Sequence, residues 1–176
     1  MEFQDIVVAR RSTRKFSDKG VSKELITKML DATLLAPSSR NSHSTKFMVV
    51  TSPQKIEALS IMRDYGSSFM KNAPCAIVVM GDTSATDLWE VNCAISATTL
   101  QLACVAEGLV SCWVHVQDRP QKQAEPEGAK AIELVREVLP IPEGHDVLCV
   151  IACGYSDFSP APLPEFDKES KVLFVE

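Results

Sequence analysis

The sequence predicts a single domain in which helices and strands are mixed, and three observations predict it. Cys75 to Met80 is an unbroken apolar run of strand length that stops at Gly81-Asp82, as expected of a strand covered on both faces. Asp87 to Glu107 reads as one long helix with apolar residues on nearly every face, so protein must surround it. At 176 residues, 45 % hydrophobic and 23 % charged, the chain has the length and composition of one ordinary globular domain.

In chain order, Phe3, Ile6 and Val7 stand at helical spacing and suggest a short amphipathic helix. Ser22 is a good N-cap for a second helix, with Glu24 in its first turn and Val21 placed to staple onto Ile26. Leu25, Met29, Ala32 and Ala36 are its expected buried face, and Pro37 stops it. Lys46 to Thr51 is β-rich, and Ser52-Pro53 then supplies the N-cap and first residue of a helix striped by Ile56, Leu59 and Met62. The long helix should end at Gly108, which suits the left-handed position after a helix C-terminus. Leu109 to Val116 begins as a strand, Ala129 to Leu139 is helical, and Val147 to Cys153 is the last long strand. Pro160, Pro162 and Pro164 make the tail extended. Its apolar end, Val172 to Val175, has two readings, a frayed terminus or an arm reaching the sheet of a partner subunit. A partner is also one way to surround the long helix, so a homodimer is expected.

No apolar run approaches the roughly 20 residues of a membrane span, and the start Met1-Glu2-Phe3-Gln4-Asp5 lacks a signal-peptide core. Cys75, Cys93, Cys104, Cys112, Cys149 and Cys153 lie singly in apolar segments, without zinc spacing. They read as core residues of a reducing compartment, which places the chain in the cytoplasm with neither membrane nor metal.

Four cations fall within the six residues Arg10-Arg11-Ser12-Thr13-Arg14-Lys15 of a chain whose net charge is −5. Such a run can be a solvated face, or a site for an anion. Ser12 among the arginines offers a neutral donor beside guanidinium forks, the donor set of a phosphate group. The run is too short and too poor in aromatic neighbours for nucleic acid, so one small phosphate-bearing ligand fits better. A second polar constellation, Pro37-Ser38-Ser39-Arg40-Asn41-Ser42-His43-Ser44, is either an ordinary surface loop or a set of donors for a polyhydroxylated chain or a ring edge.

With these residues in place, the chain resembles the nitroreductase family of FMN-binding proteins. The resemblance rests on Arg10-Arg11-Ser12-x-Arg14-x-Phe16, Ala36-Pro37-Ser38-Ser39-x-Asn41, Glu107-Gly108-Leu109, Ser111-Cys112-Trp113 and Gly154-Tyr155, taken in this order. It implies an α+β sandwich, a mixed and mainly antiparallel sheet covered by helices, in an intertwined homodimer with FMN at the interface and the tail from residue 156 onward exchanged. It further implies that Arg10 and Ser12 hold the phosphate, that Arg11 beside them belongs to the cofactor site, and that Arg14 lies near the pyrimidine side of the flavin ring. There a guanidinium would stabilise the negative charge of the reduced ring. Pro37, Ser38, Ser39 and Asn41 would come from the partner subunit, Trp113 and Val114 would turn their backbone to the flavin, and Gly154 would allow a close approach beside the phosphate. Lys168 and Lys171 are both candidates for a further phosphate contact. His115 departs from the small residues common in relatives and reads either as a structural residue or as a donor to substrate.

The activity implied is an FMN-dependent oxidoreductase in which NAD(P)H reduces the flavin and a small electron-poor acceptor, a nitroaromatic or a quinone, is reduced in turn. The flavin performs the chemistry, so no catalytic side chain is expected. The alternatives are a flavin-binding protein for storage or sensing, and a flavin enzyme of another reaction such as reductive dehalogenation.

Overall fold

The computed structural model describes residues 2–175. Strands β1 (Thr45–Val50), β2 (Cys75–Asp82), β3 (Val110–His115) and β4 (His145–Gly154) form one sheet in the order β1-β2-β4-β3. All three neighbouring pairs are antiparallel. The parallel element is a single bridge from Ser12 to Ser111, which starts to extend the sheet beyond β3. As its apolar run requires, β2 is an inner strand buried on both faces.

Helices cover both faces of the sheet, which makes the α+β sandwich. On one side, α3 (Pro53–Ser60) and α5 (Ala131–Val138) pack Ile56, Leu59 and Val135 against Val78, Val114 and Val150. On the other, α2 (Lys23–Leu34) and α4 (Trp89–Ala106) pack Met29, Ala97 and Leu100 against Ile77, Cys149 and Ile151. Cys149 and Cys153, four apart on β4, point to that second face as alternation demands.

The caps form as their residues dictate. Ser22 Oγ accepts from the Leu25 amide at 3.2 Å, and Ser52 Oγ from the Lys55 amide at 3.4 Å. After α4, Gly108 takes φ +74°, and the amides of Gly108 and Leu109 return to the carbonyls of Val105 and Cys104. This pair of bonds closes the helix in a Schellman motif.

Two amphipathic readings shift. The buried face of α2 is Ile26, Met29 and Thr33, while Ala32 is exposed. Thr33 is accommodated because its hydroxyl donates to the Met29 carbonyl at 2.7 Å. α1 (Phe3–Ala9) buries none of its residues within this chain. Its Phe3, Val7 and Val8 stay exposed, as do Leu34 and Leu35 at the end of α2 and Val91 on α4. The face of α4 carrying Val91 and Thr98 is therefore open in a single chain, although the opposite face is sealed. Among the described residues no helix is long and apolar enough to cross a membrane.

Candidate functional site along the edge of β3

The basic segment is bound to the sheet by its backbone. The Thr13 amide donates to the Ser111 carbonyl at 3.0 Å, and the Ser17 amide to the Tyr155 carbonyl at 2.8 Å. Residues 10–17 thus run from the start of β3 to the end of β4, with Arg10 and Arg14 beside the strand entrance. Burial pushes the Cys112 thiol up, while Arg14 and Arg10 pull it down, so both cations are felt there. No carboxylate pairs with Arg10, Arg11 or Arg14 among the described residues. Arg14 lies 5.7 Å from the Phe69 ring centre, and Phe69 stacks on Phe16. Arg14 Nη1 donates within the segment, to the Ser12 carbonyl at 3.5 Å, whereas the Arg11 guanidinium donates to the Ala161 carbonyl of the tail at 2.7 Å.

β3 is an edge strand, and its alternation decides which groups are open. Ser111 turns its carbonyl outward to Thr13, so Trp113 and His115 turn their amide and carbonyl groups the same way. The His115 carbonyl accepts from Arg63 Nη1 at 3.0 Å. Between these two ends the Trp113 amide and carbonyl have no backbone partner among the described residues. Val114 behaves otherwise than expected. Its backbone faces β4 opposite Val150, and its side chain is 1 % exposed in the core, so the outward groups at this point of the strand belong to Trp113 and His115.

The loop after α2 is built around Asn92 of α4, which is 1 % exposed. Asn92 Nδ2 donates to the hydroxyls of Ser39, Ser42 and Ser44 at 3.2, 3.1 and 3.0 Å, and Oδ1 accepts from the Ser39 amide at 2.8 Å. Ser38 Oγ accepts from the His43 amide at 3.0 Å. Arg40, Asn41 and His43 all take positive φ, a strained state that such a network can hold. No hydrogen bond or ion pair joins Pro37, Ser38, Ser39 or Asn41 to Arg10–Arg14 within the chain, among the described residues.

Lys168 and Lys171 lie in the exposed tail and make no side-chain hydrogen bond or ion pair among the described residues. At Gly154 the close neighbour within the chain is Pro74. A Cβ there would stand 2.6 Å from the Pro74 ring and 3.3 Å from Phe16, which accounts for the glycine by packing. Asn92, Arg63 and Phe69 escaped the sequence reading. Asn92 had a weak signal, an amide in a helix of mostly apolar and small residues, whereas Arg63 and Phe69 sit in a polar stretch without periodicity.

Comparison with known proteins decides the family. The model of the nitroreductase family matches residues 7–155. The chain belongs to the nitroreductase family. It is 30 % identical over 172 residues to a Methanothermobacter thermautotrophicus protein named "Putative NADH dehydrogenase/NAD(P)H nitroreductase", covering 96 % of this chain and 85 % of that one. Its structure superposes on an FMN-dependent nitroreductase of Clostridium difficile with a TM-score of 0.87 at 36 % identity, covering 97 % and 98 % of the two chains. The NADPH:FMN oxidoreductase of Vibrio harveyi, solved with NAD+, shares the fold alone, at a TM-score of 0.80 and 21 % identity, with 99 % of this chain and 77 % of that one covered.

Proposed function

We propose that this nitroreductase-family chain is an FMN-dependent oxidoreductase that takes reducing equivalents from NAD(P)H and passes them to a nitroaromatic or quinone-like acceptor. The observation that carries the reading is a row of cations without carboxylate partners leading to an open strand edge. Those residues fit a flavin mononucleotide. Arg10 and Ser12 hold the phosphate, Arg14 sets positive charge beside the ring, and the Trp113 amide and carbonyl offer a donor and an acceptor to the ring edge. Bound there, FMN supplies a ring that accepts a hydride and gives it up again. The name of the Clostridium difficile relative supports the cofactor.

The rest of the site comes from a second copy of the chain. The exposed apolar residues of α1, the end of α2 and α4 suit a homodimer interface, and the Pro37 to Asn41 loop, pinned by Asn92, serves the flavin of the partner. The tail crosses to that partner and brings Lys168 or Lys171 to its phosphate. The protein works in the cytoplasm.

Titration of the apo-protein with FMN tests the reading. Arg10→Ala should weaken binding by about 1.5–3 kcal/mol, the worth of a charged hydrogen bond. An unchanged dissociation constant removes Arg10 from the site. Arg14→Ala should lower the flavin reduction potential more than it lowers affinity, read by redox titration. FMN binding without consumption of NAD(P)H above the free-FMN background would make the chain a storage or sensing protein.

A further inference from the structure

Arg63 is a half-buried cation with one nitrogen atom left without a partner among the described residues. It is half-buried at the far end of the β3 edge and has no carboxylate partner among the described residues. One nitrogen, Nη1, is spent on the His115 carbonyl, and the ring of Tyr65 lies 4.0 Å from the guanidinium carbon. Its Nε–H is buried and meets no acceptor among the described residues. A buried guanidinium N–H without an acceptor is an unusual state, and it indicates a group that an oxyanion would complete.

A second donor stands next to it. His115 Nδ1 accepts from the Trp113 indole N–H at 3.3 Å, with the two rings stacked at 13°. A neutral imidazole whose Nδ1 accepts carries its proton on Nε2, so the ring presents an N–H, for which a ligand would compete with the side chain of Gln117. Burial lowers the pKa of His115, and the charges of Arg119 and Arg63 add to the effect against the smaller opposing effects of a hydrogen bond to Gln117 and the charge of Asp118.

We propose that Arg63 and His115 form an oxyanion subsite at the far end of the β3 edge, one that receives the carboxylate or phosphate of a molecule lying along that edge. The proposal deepens the function given above and rests on it for the place of the flavin, which occupies the stretch between Arg14 and this subsite. Two sources share the ligand chemistry, an acceptor carrying a carboxylate and a nicotinamide dinucleotide carrying a phosphate.

The test uses arginine labelled with ¹⁵N in the FMN-loaded protein, with benzoate and inorganic phosphate as probes. The Nε–H resonance of Arg63, assigned by its loss in Arg63→Lys, should shift and saturate with one probe or both. Arg63→Met should then raise KM for 4-nitrobenzoate at least tenfold more than KM for neutral 4-nitrobenzamide if the acceptor is the source. If the dinucleotide is the source, Arg63→Met should instead abolish a preference for NADPH over NADH. A resonance that neither probe moves overturns the subsite, and so does an Arg63→Met enzyme in which charged and neutral acceptors, and both dinucleotides, change alike. Should Arg63→Met fail to fold, the titration of the unaltered protein decides alone. A chain that binds no FMN would end the proposed function, yet the benzoate and phosphate titrations of the apo-protein would remain readable.

Discussion

The loop from Ala36 to Ser44 and the tail beyond Tyr155 both run outside the sheet, and they are held in opposite ways. The loop is fastened from inside the chain, by a buried amide that spends both its ends on loop atoms. It holds three non-glycine residues at positive φ, a conformation that would not persist unsupported. Among the described residues the tail has one long-range hydrogen bond, from Arg11 to the Ala161 carbonyl, and one cation–ring contact, Lys15 4.8 Å from the Phe158 ring centre; beyond Ala161 its hydrogen bonds are local turn bonds around Asp167 to Val172. Its end exposes Leu173, Phe174 and Val175 by 87, 90 and 97 %. Leaving three large apolar side chains in water forfeits burial that a neighbouring surface would supply, at about 1.5–3 kcal/mol each when complete. The loop is polar and internally bonded, whereas the tail is apolar at its end and almost unbonded to the rest of the chain, among the described residues.

The largest effect that could break this comparison is removal of residues 156–176. If the tail clamps the dimer, sedimentation at micromolar concentration should change from the two-chain to the one-chain mass, and an undisturbed dimer would show that the tail holds nothing. Next comes Asn92→Leu, which strands the Ser39 amide and three hydroxyls. Urea unfolding should show a loss of about 3 kcal/mol, from several hydrogen bonds at about 1 kcal/mol each. Asn92→Asp should lose less than half of that, because the three hydroxyls can turn to donate to a carboxylate while the Ser39 amide keeps its acceptor. Equal losses would mean that packing, not the hydrogen bonds, holds the loop. Arg11→Ala sharpens the contrast on a smaller scale. Amide exchange should quicken from residue 158 to 164 and stay unchanged from 38 to 44, and an effect on both would join the regions that the structure keeps apart.

The smallest effect is a pH dependence at His115, whose pKa lies below its ordinary value of 6.5. Between the lowered and the ordinary value the unfolded chain binds more protons than the folded one, so stability should fall as pH drops through that window. His115→Asn should flatten the slope there. A slope that persists belongs to another group.

Much of this was legible in the residues, where the cause is local. Cys75 to Met80 reads as a covered strand because nothing polar interrupts it, and Ser22, Ser52 and Gly108 mark helix ends because capping needs only a few neighbouring atoms. The arginines at 10, 11 and 14 stood out by charge density alone. What periodicity cannot carry is which groups meet across the fold. The outward face of Trp113 and the inward face of Val114 follow from the alternation set by one bond from Thr13 to Ser111, a contact between residues far apart in the chain. Asn92 went unnoticed because its partners, Ser39, Ser42 and Ser44, lie some fifty residues earlier in the chain. Ala32 exchanged its expected burial for Thr33 because a hydroxyl can bond back to its own helix, a local option that residue counting by apolarity overlooks.

The central claim is that the arginine row and the open edge of β3 hold a flavin that nicotinamide can reduce. An absorption spectrum of the purified protein, recorded anaerobically before and after NADH and NADPH, tests it most directly. The account predicts flavin bands near ~450 nm that bleach on addition of one or both dinucleotides. A colourless protein that also refuses added FMN would contradict it.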